Sequence, residues 1–127
     1  MSRPATVAPM GRTWTGDVVV VGAGTAGANA AWQFARRGRS VLLVERRPLE
    51  DAGADWSNGI AAWQFDLAGV PMPTGDERSG DGSTGTVHLR TPDDTPAVVI
   101  EDNPLTGVDM GRFTDRLHSD AIAAGVE

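Results

Sequence analysis

The stretch that decides the fold is Asp17–Glu45, DVVVVGAGTAGANAAWQFARRGRSVLLVE. An apolar run, Val18–Val21, leads directly into glycines at 22, 24 and 27, and a segment of helical character follows. The spacing then continues. Ala31 lies four residues beyond Gly27 and Gly38 seven beyond that, while Glu45 closes a second apolar run 18 residues after the last glycine. A GxGxxG between a strand and a helix, with a terminal acid, is a dinucleotide-binding fingerprint. Gly22 permits the sharp turn out of the strand, Gly24 lets the backbone approach a pyrophosphate, and Gly27 lets the helix pack on the strand. Unpaired N–H groups of the first helical turn, near Thr25 to Ala28, face the phosphates with the positive end of the helix dipole behind them. Ala23 and Ala26 complete the loop. Glu45 suits both hydroxyls of an adenosine ribose and would repel a 2′-phosphate, which argues against NADP in this pocket. The bland alternative is a βαβ unit with a tight turn and no ligand.

Working outward, the first strand is expected over Asp17–Val21, covered on both faces as an uninterrupted valine run implies. The helix is expected over Thr25–Arg37, with Arg36 and Arg37 complementing its dipole and Gly38 stopping it. The second strand is expected over Ser40–Val44, parallel to the first through a right-handed crossover. Upstream, residues 1–15 read as a flexible leader, with Pro4, Pro9 and isolated arginines.

Downstream, Ser57 or Asn58 is placed to cap a helix over Gly59–Ala68, ended by Gly69 and Pro71, with Ile60, Trp63 and Leu67 as its apolar stripe. Residues 74–85 hold glycines and acids with no apolar side chain and read as a mobile loop. Asp76, Glu77 and Asp81 lack the alternation of a calcium loop, so no metal is expected. Thr86–Arg90 and Ala97–Ile100, separated by Pro92-Asp93-Asp94, read as a β-hairpin. His88 within it has no acid, Ser or Cys at a meaningful spacing. A closing helix is expected over Met110–Ala124, capped by Asp109, with Phe113, Leu117, Ala121 and Ala124 inward and Asp115, Arg116, His118 and Ser119 outward. Val126 would begin another strand.

The chain has 127 residues, 16 glycines, 8 prolines, no cysteine and a net charge of −6 from 11 basic and 17 acidic residues. The acidity disfavours nucleic acid as a partner. The missing cysteines exclude disulfides, thiolate metal sites and thiol nucleophiles. No apolar run approaches the roughly 18 residues of a spanning helix, and the expected location is cytoplasmic. Neither GxSxG, HExxH nor a P-loop occurs, so no acid, base or nucleophile is assigned.

VVVVGAGTAGANAAWQFARRGRSVLLVERR resembles the N-terminus of FAD-dependent oxidoreductases of the glutathione-reductase-like class, which includes aromatic-ring hydroxylases, geranylgeranyl reductases and flavin-dependent halogenases. The resemblance is specific over Asp17–Arg47. It implies an α/β, Rossmann-like FAD-binding unit with a β-hairpin and further helices, within 16–127 and with 17–47 as its core. It also implies FAD as cofactor, with NAD(P)H as a candidate co-substrate. Glu45 would hold the adenosine ribose and Arg46 would lie near the adenine; a solvated surface charge is the alternative for Arg46. In this class the loop after the second strand runs over the cofactor, so Trp56, Trp63 and Phe65 are either flavin neighbours or, as the residues themselves favour, packing groups. Many members carry an arginine near the start of the last helix, where matching from the AxxxG end places Met110 rather than Arg112 or Arg116.

The candidate cofactor-binding residues are therefore Gly22, Ala23, Gly24, Thr25, Ala26, Gly27, Glu45 and Arg46. The expected function is an FAD-binding oxidoreductase, with monooxygenase-like chemistry as one form, whose redox chemistry the flavin carries. The strand count is low for such a domain. Two alternatives follow: an incomplete, non-catalytic fragment completed by a companion chain, and an NAD-binding dehydrogenase domain.

Overall fold

The computed structural model describes residues 13–80, 86–93 and 96–127. Most of the expected leader and residues 81–85 of the expected mobile loop lie outside these. Six strands and three helices follow in order. They are β1 (Val18–Val21), α1 (Thr25–Ala35), β2 (Val41–Val44), β3 (Ser57–Ala61), α2 (Ala62–Ala68), β4 (Val87–Arg90), β5 (Pro96–Ile100), β6 (Leu105–Asp109) and α3 (Met110–Ala123). Short 3-10 turns occupy Leu49–Asp51 and Gly75–Glu77.

β1 and β2 are parallel, with Val18 opposite Val41 and Val21 opposite Val44. Asp17 and Ser40 tie their starts: Ser40 N–H and Oγ both donate to Asp17 Oδ2 at 2.8 Å, and Asp17 N–H donates to Ser40 Oγ at 2.9 Å. The expectation that both faces of β1 are covered does not hold among the described residues. Val18 and Val20 are half-buried, whereas Val19 and Val21 are 54% and 83% exposed. Among the described residues α1 covers one face of the pair and packs against α3. On the outer edge of β2, Glu127 N–H donates to Val41 O at 3.0 Å and Leu43 N–H to Glu127 O at 2.8 Å, the bond pattern of a parallel neighbour. Glu127 thus lies beside β2 where another strand was expected to begin, while the Val126 N–H donates back to Ala121 O of α3 at 3.0 Å, and no third strand is formed among the described residues. Trp14 donates Nε1–H to Glu127 Oε1 at 3.0 Å.

The helix expected over Gly59–Ala68 is divided. Ser57–Ala61 is strand β3, antiparallel to β6 with Gly59 opposite Gly107, and only Ala62–Ala68 is helical. Gly59 allows the close approach, since a Cβ there would lie 3.1 Å from Leu105 Cδ1. With the helix so shortened, Trp63 and Leu67 point outward, 61% and 81% exposed, and Phe65 becomes the buried residue. Phe65 meets Phe113 edge-to-face at 5.7 Å. These two join Ala28, Val70, Val108, Met110 and Leu117 in the core between α1, α2 and α3. Gly69, with φ +64°, ends α2 in the left-handed conformation, and Gln33 Nε2–H of α1 donates to its carbonyl at 3.0 Å.

The described part of the expected mobile loop is anchored. Thr74–Glu77 forms a turn in which Thr74 N–H donates to Glu77 Oε2 at 3.2 Å, and Glu77 is buried. Arg116 of α3 grips it, Nε to Glu77 Oε1 at 2.5 Å and Nη2 to Pro71 O at 3.0 Å. Ser79 N–H then donates to Gly107 O on β6 at 3.0 Å. A segment without apolar side chains is therefore held by charge and backbone bonds. The hairpin is formed as expected, β4 antiparallel to β5.

Candidate functional site

Each glycine of the turn has a distinct reason. Gly22 adopts φ +96°, a conformation that favours glycine. A Cβ on Gly27 would lie 1.8 Å from Gly22 O, so α1 can meet the turn only with hydrogen there. Gly24 differs. It is extended, with φ −65° and ψ 177°, and a Cβ would make only an ordinary contact, 3.7 Å from Gly53 Cα. Nothing among the described residues requires glycine at 24, since its φ is ordinary and a Cβ would not clash. The Gly24 N–H meets no acceptor among the described residues, and α1 begins without a side-chain cap. The first intrahelical bond is Ala28 N–H to Gly24 O at 2.9 Å, leaving the N–H groups of Thr25, Ala26 and Gly27 as the helix's orphan donors. The segment is thus a neutral anion cradle.

Glu45 sits at the carboxyl end of β2, its side chain 13% exposed. Its Oε2 accepts the Ala23 N–H at 2.9 Å, and its Oε1 accepts the N–H groups of Arg46 and Arg47 at 3.0 and 3.1 Å. The Ala23 N–H foremost, and then that of Arg47, hold the Glu45 carboxyl below its ordinary range. The Arg47 guanidinium stands 3.7 Å away. Glu45 is therefore a structural tie as well as a ligand candidate. A carboxylate has about four lone-pair sites, of which three backbone N–H groups occupy three here. A cleft of about 400 Å³ opens between the strand ends, lined by Val21, Gly22, Val44, Glu45, Arg46 and Arg47. Arg46 is exposed on its wall. A second, wider cleft of about 640 Å³ lies beside the loop after β2, bordered by Arg47, Gly53, Trp56 and Asp115.

The structure brings the glycine turn and Glu45 together and adds two residues that sequence reasoning missed. His118, expected to face outward, is 5% exposed, and its Nε2 lies 2.5 Å from Ala23 O. A carbonyl oxygen only accepts, so Nε2 carries the hydrogen. One turn earlier on α3, fully buried Thr114 donates its hydroxyl to Met110 O at 2.7 Å. Its oxygen is 2.8 Å from Thr25 Oγ1, and since Thr114 has already spent its hydrogen, Thr25 is the donor. The available signal was the i, i+4 pair Thr114 and His118 flanking Leu117 on one helix face.

Arg112 and Arg116 turn away from the glycine turn. Arg112 pairs with Asp76 at 2.7 Å and Arg116 with Glu77, so both hold the 74–77 segment, while buried Met110 starts the helix. Trp56 is exposed at the rim of the wider cleft, Trp63 faces outward and Phe65 is core. Among the described residues no three metal-ligating side chains converge, and no helix is long and apolar enough to cross a membrane.

Residues 17–73 match the family described as FAD dependent oxidoreductase. Over 78 residues the chain is 35% identical to a digeranylgeranylglycerophospholipid reductase of Sulfolobus acidocaldarius, covering 61% of this chain and 17% of the relative. Over 34 residues it is 62% identical to the methylenetetrahydrofolate tRNA (uracil-5) methyltransferase TrmFO of Desulforudis audaxviator, covering 27% and 8%. The fold is that of a geranylgeranyl bacteriochlorophyll reductase-like protein of Thermoplasma acidophilum, at TM-score 0.67 and 20% identity, over 88% of this chain and 29% of that one. The chain spans less than a third of each of these proteins. The cofactor of the family matched over 17–73 is FAD, and the α/β fold of the chain is that of its structural neighbour.

Proposed function

We propose that the chain binds FAD through its ADP half and serves as the cofactor-binding front of an oxidoreductase. The pyrophosphate lies on Gly24 and the first turn of α1, with Gly22, Ala23, Thr25, Ala26 and Gly27 shaping the cradle. Glu45 uses its remaining acceptor capacity for the adenosine ribose, and Arg46 lies along the adenine side of the cleft. The observation that carries this reading is Gly24: its N–H has no acceptor among the described residues, and the fold would tolerate a side chain there, yet the position is glycine. Bound there, the flavin supplies hydride transfer, while the protein orients it and excludes competing contacts. Reduction is favoured over oxygenation, because the 78-residue match is to a reductase and the structural neighbour is reductase-like. NAD(P)H is the expected reductant.

Titration of the purified chain with FAD, followed by flavin fluorescence and by competition with ADP and with NAD, tests the reading. The parent chain should bind FAD with ADP competing and NAD competing weakly. Gly24→Ala should weaken FAD at least about tenfold while shifting stability by no more than about 0.5 kcal/mol. Equal FAD affinity in the two proteins would remove Gly24 from the site, and preference for NAD would favour a dehydrogenase.

A further inference from the structure

We propose that His118 is a positioning residue for the pyrophosphate-binding turn, acting from α3 on the peptide that joins Ala23 to Gly24. This inference rests on the dinucleotide reading above and deepens it. The peptide is trans, as are all the others described, so the Ala23 carbonyl and the Gly24 N–H point in opposite directions. His118 Nε2–H takes the carbonyl at 2.5 Å. The Gly24 N–H is thereby aimed away from His118, and it meets no acceptor among the described residues. Glu45 holds the other side of Ala23 by its N–H at 2.9 Å. Residue 23 is consequently fixed at both of its backbone polar groups, by side chains from two different elements.

The placement of His118 is costly unless it does something specific. It is nearly fully buried in the seam where α3 packs on the βαβ unit, beside Leu117 and Ala121, where an apolar side chain would add cohesion without a polar group to satisfy. Thr114, one turn away, repeats the arrangement. It receives the Thr25 hydroxyl at 2.8 Å, and its side chain comes within 3.1 Å of where a Cβ on Gly53 would stand. Two buried polar groups on one helix face, each bonded to the turn, orient donors as well as fill space. A donor aimed before the ligand arrives avoids the ordering cost of aiming it on binding.

The test compares ADP with adenosine, which lacks the phosphates, in isothermal or NMR titrations of the full chain. His118→Phe should weaken ADP by about tenfold or more, the worth of one hydrogen bond to a charged group, and leave adenosine within about twofold. His118→Gln, which can still present an N–H, should recover most of the ADP affinity, and the shorter His118→Asn should not. The Gln and Asn variants carry the test if the Phe variant does not fold. Equal weakening of ADP and adenosine, or Gln behaving as Asn does, would show that His118 only supports the fold and would overturn the proposal alone. Failure of the parent chain to bind ADP would overturn the dinucleotide reading and this proposal with it.

Discussion

The two-stranded pair β1–β2 and the two-stranded hairpin β4–β5 are made of similar material and are finished very differently. Both are rich in β-branched apolar residues. β1–β2 is closed at its start by Asp17 and Ser40, closed at its far end by Glu45 on Ala23, and covered on one face by α1. The hairpin's strands pair with each other, and Leu89, Val98 and Val99 are about half exposed at 51%, 50% and 49%. A lone strand pair is marginal in water. What makes β1–β2 a platform for a site is the pair of carboxylates at its ends and the helix on its face. Even there one face stays apolar and open at Val19 and Val21, so composition alone does not distinguish the two pairs.

The contrast is sharpest at Gly27. Gly27→Ala should cost about 3 kcal/mol or more, because its methyl would meet a backbone carbonyl that cannot move without breaking the turn. Urea unfolding measures this, and a loss of under about 1 kcal/mol would mean that α1 is not tightly seated on the turn.

An intermediate effect is expected in acid. Glu45 and Asp17 both titrate below their ordinary values, 4.5 and 3.8, the first chiefly through the Ala23 N–H and the second chiefly through the Ser40 N–H. The unfolded chain then takes up protons more readily than the folded one. The stabilisation is complete above the ordinary values and is lost as pH falls through the lowered ones. The NMR amide shifts of Ala23 and Ser40 should follow this titration, with those of Leu89 and Val99 in the hairpin moving far less. Similar movement in both regions would erase the distinction.

The smallest effect belongs to the hairpin. Val99→Thr should change stability by no more than about 0.5 kcal/mol, since nearly half of the side chain already meets solvent.

The βαβ unit was legible because its signals are local. Glycine spacing, two apolar runs and a terminal acid all fall within one short stretch, and the structure places β1, α1 and β2 within a few residues of the expected bounds. The Asp109 cap of α3 was likewise readable and accepts the Arg112 N–H at 3.0 Å. β3 was not. Ser57–Ala61 has no period-two alternation, and its partner is Leu105–Asp109, far along the chain. The helical spacing of Ile60, Trp63 and Leu67 then misassigned the buried face, which belongs to Phe65. His118 was lost to its polar neighbours Asp115, Arg116 and Ser119. A buried histidine is indistinguishable from a solvated one until its acceptor, a backbone carbonyl with no sequence signature, is located.

The bond from His118 to Ala23 also fixes an order of events. It joins residues 95 positions apart, and the Thr25 to Thr114 bond joins residues 89 apart. During synthesis the strand, glycine turn and first helix emerge long before the residues that orient them. The nascent βαβ unit therefore has its motif but not its finished turn, and the turn takes its final geometry only after α3 has been made and has docked.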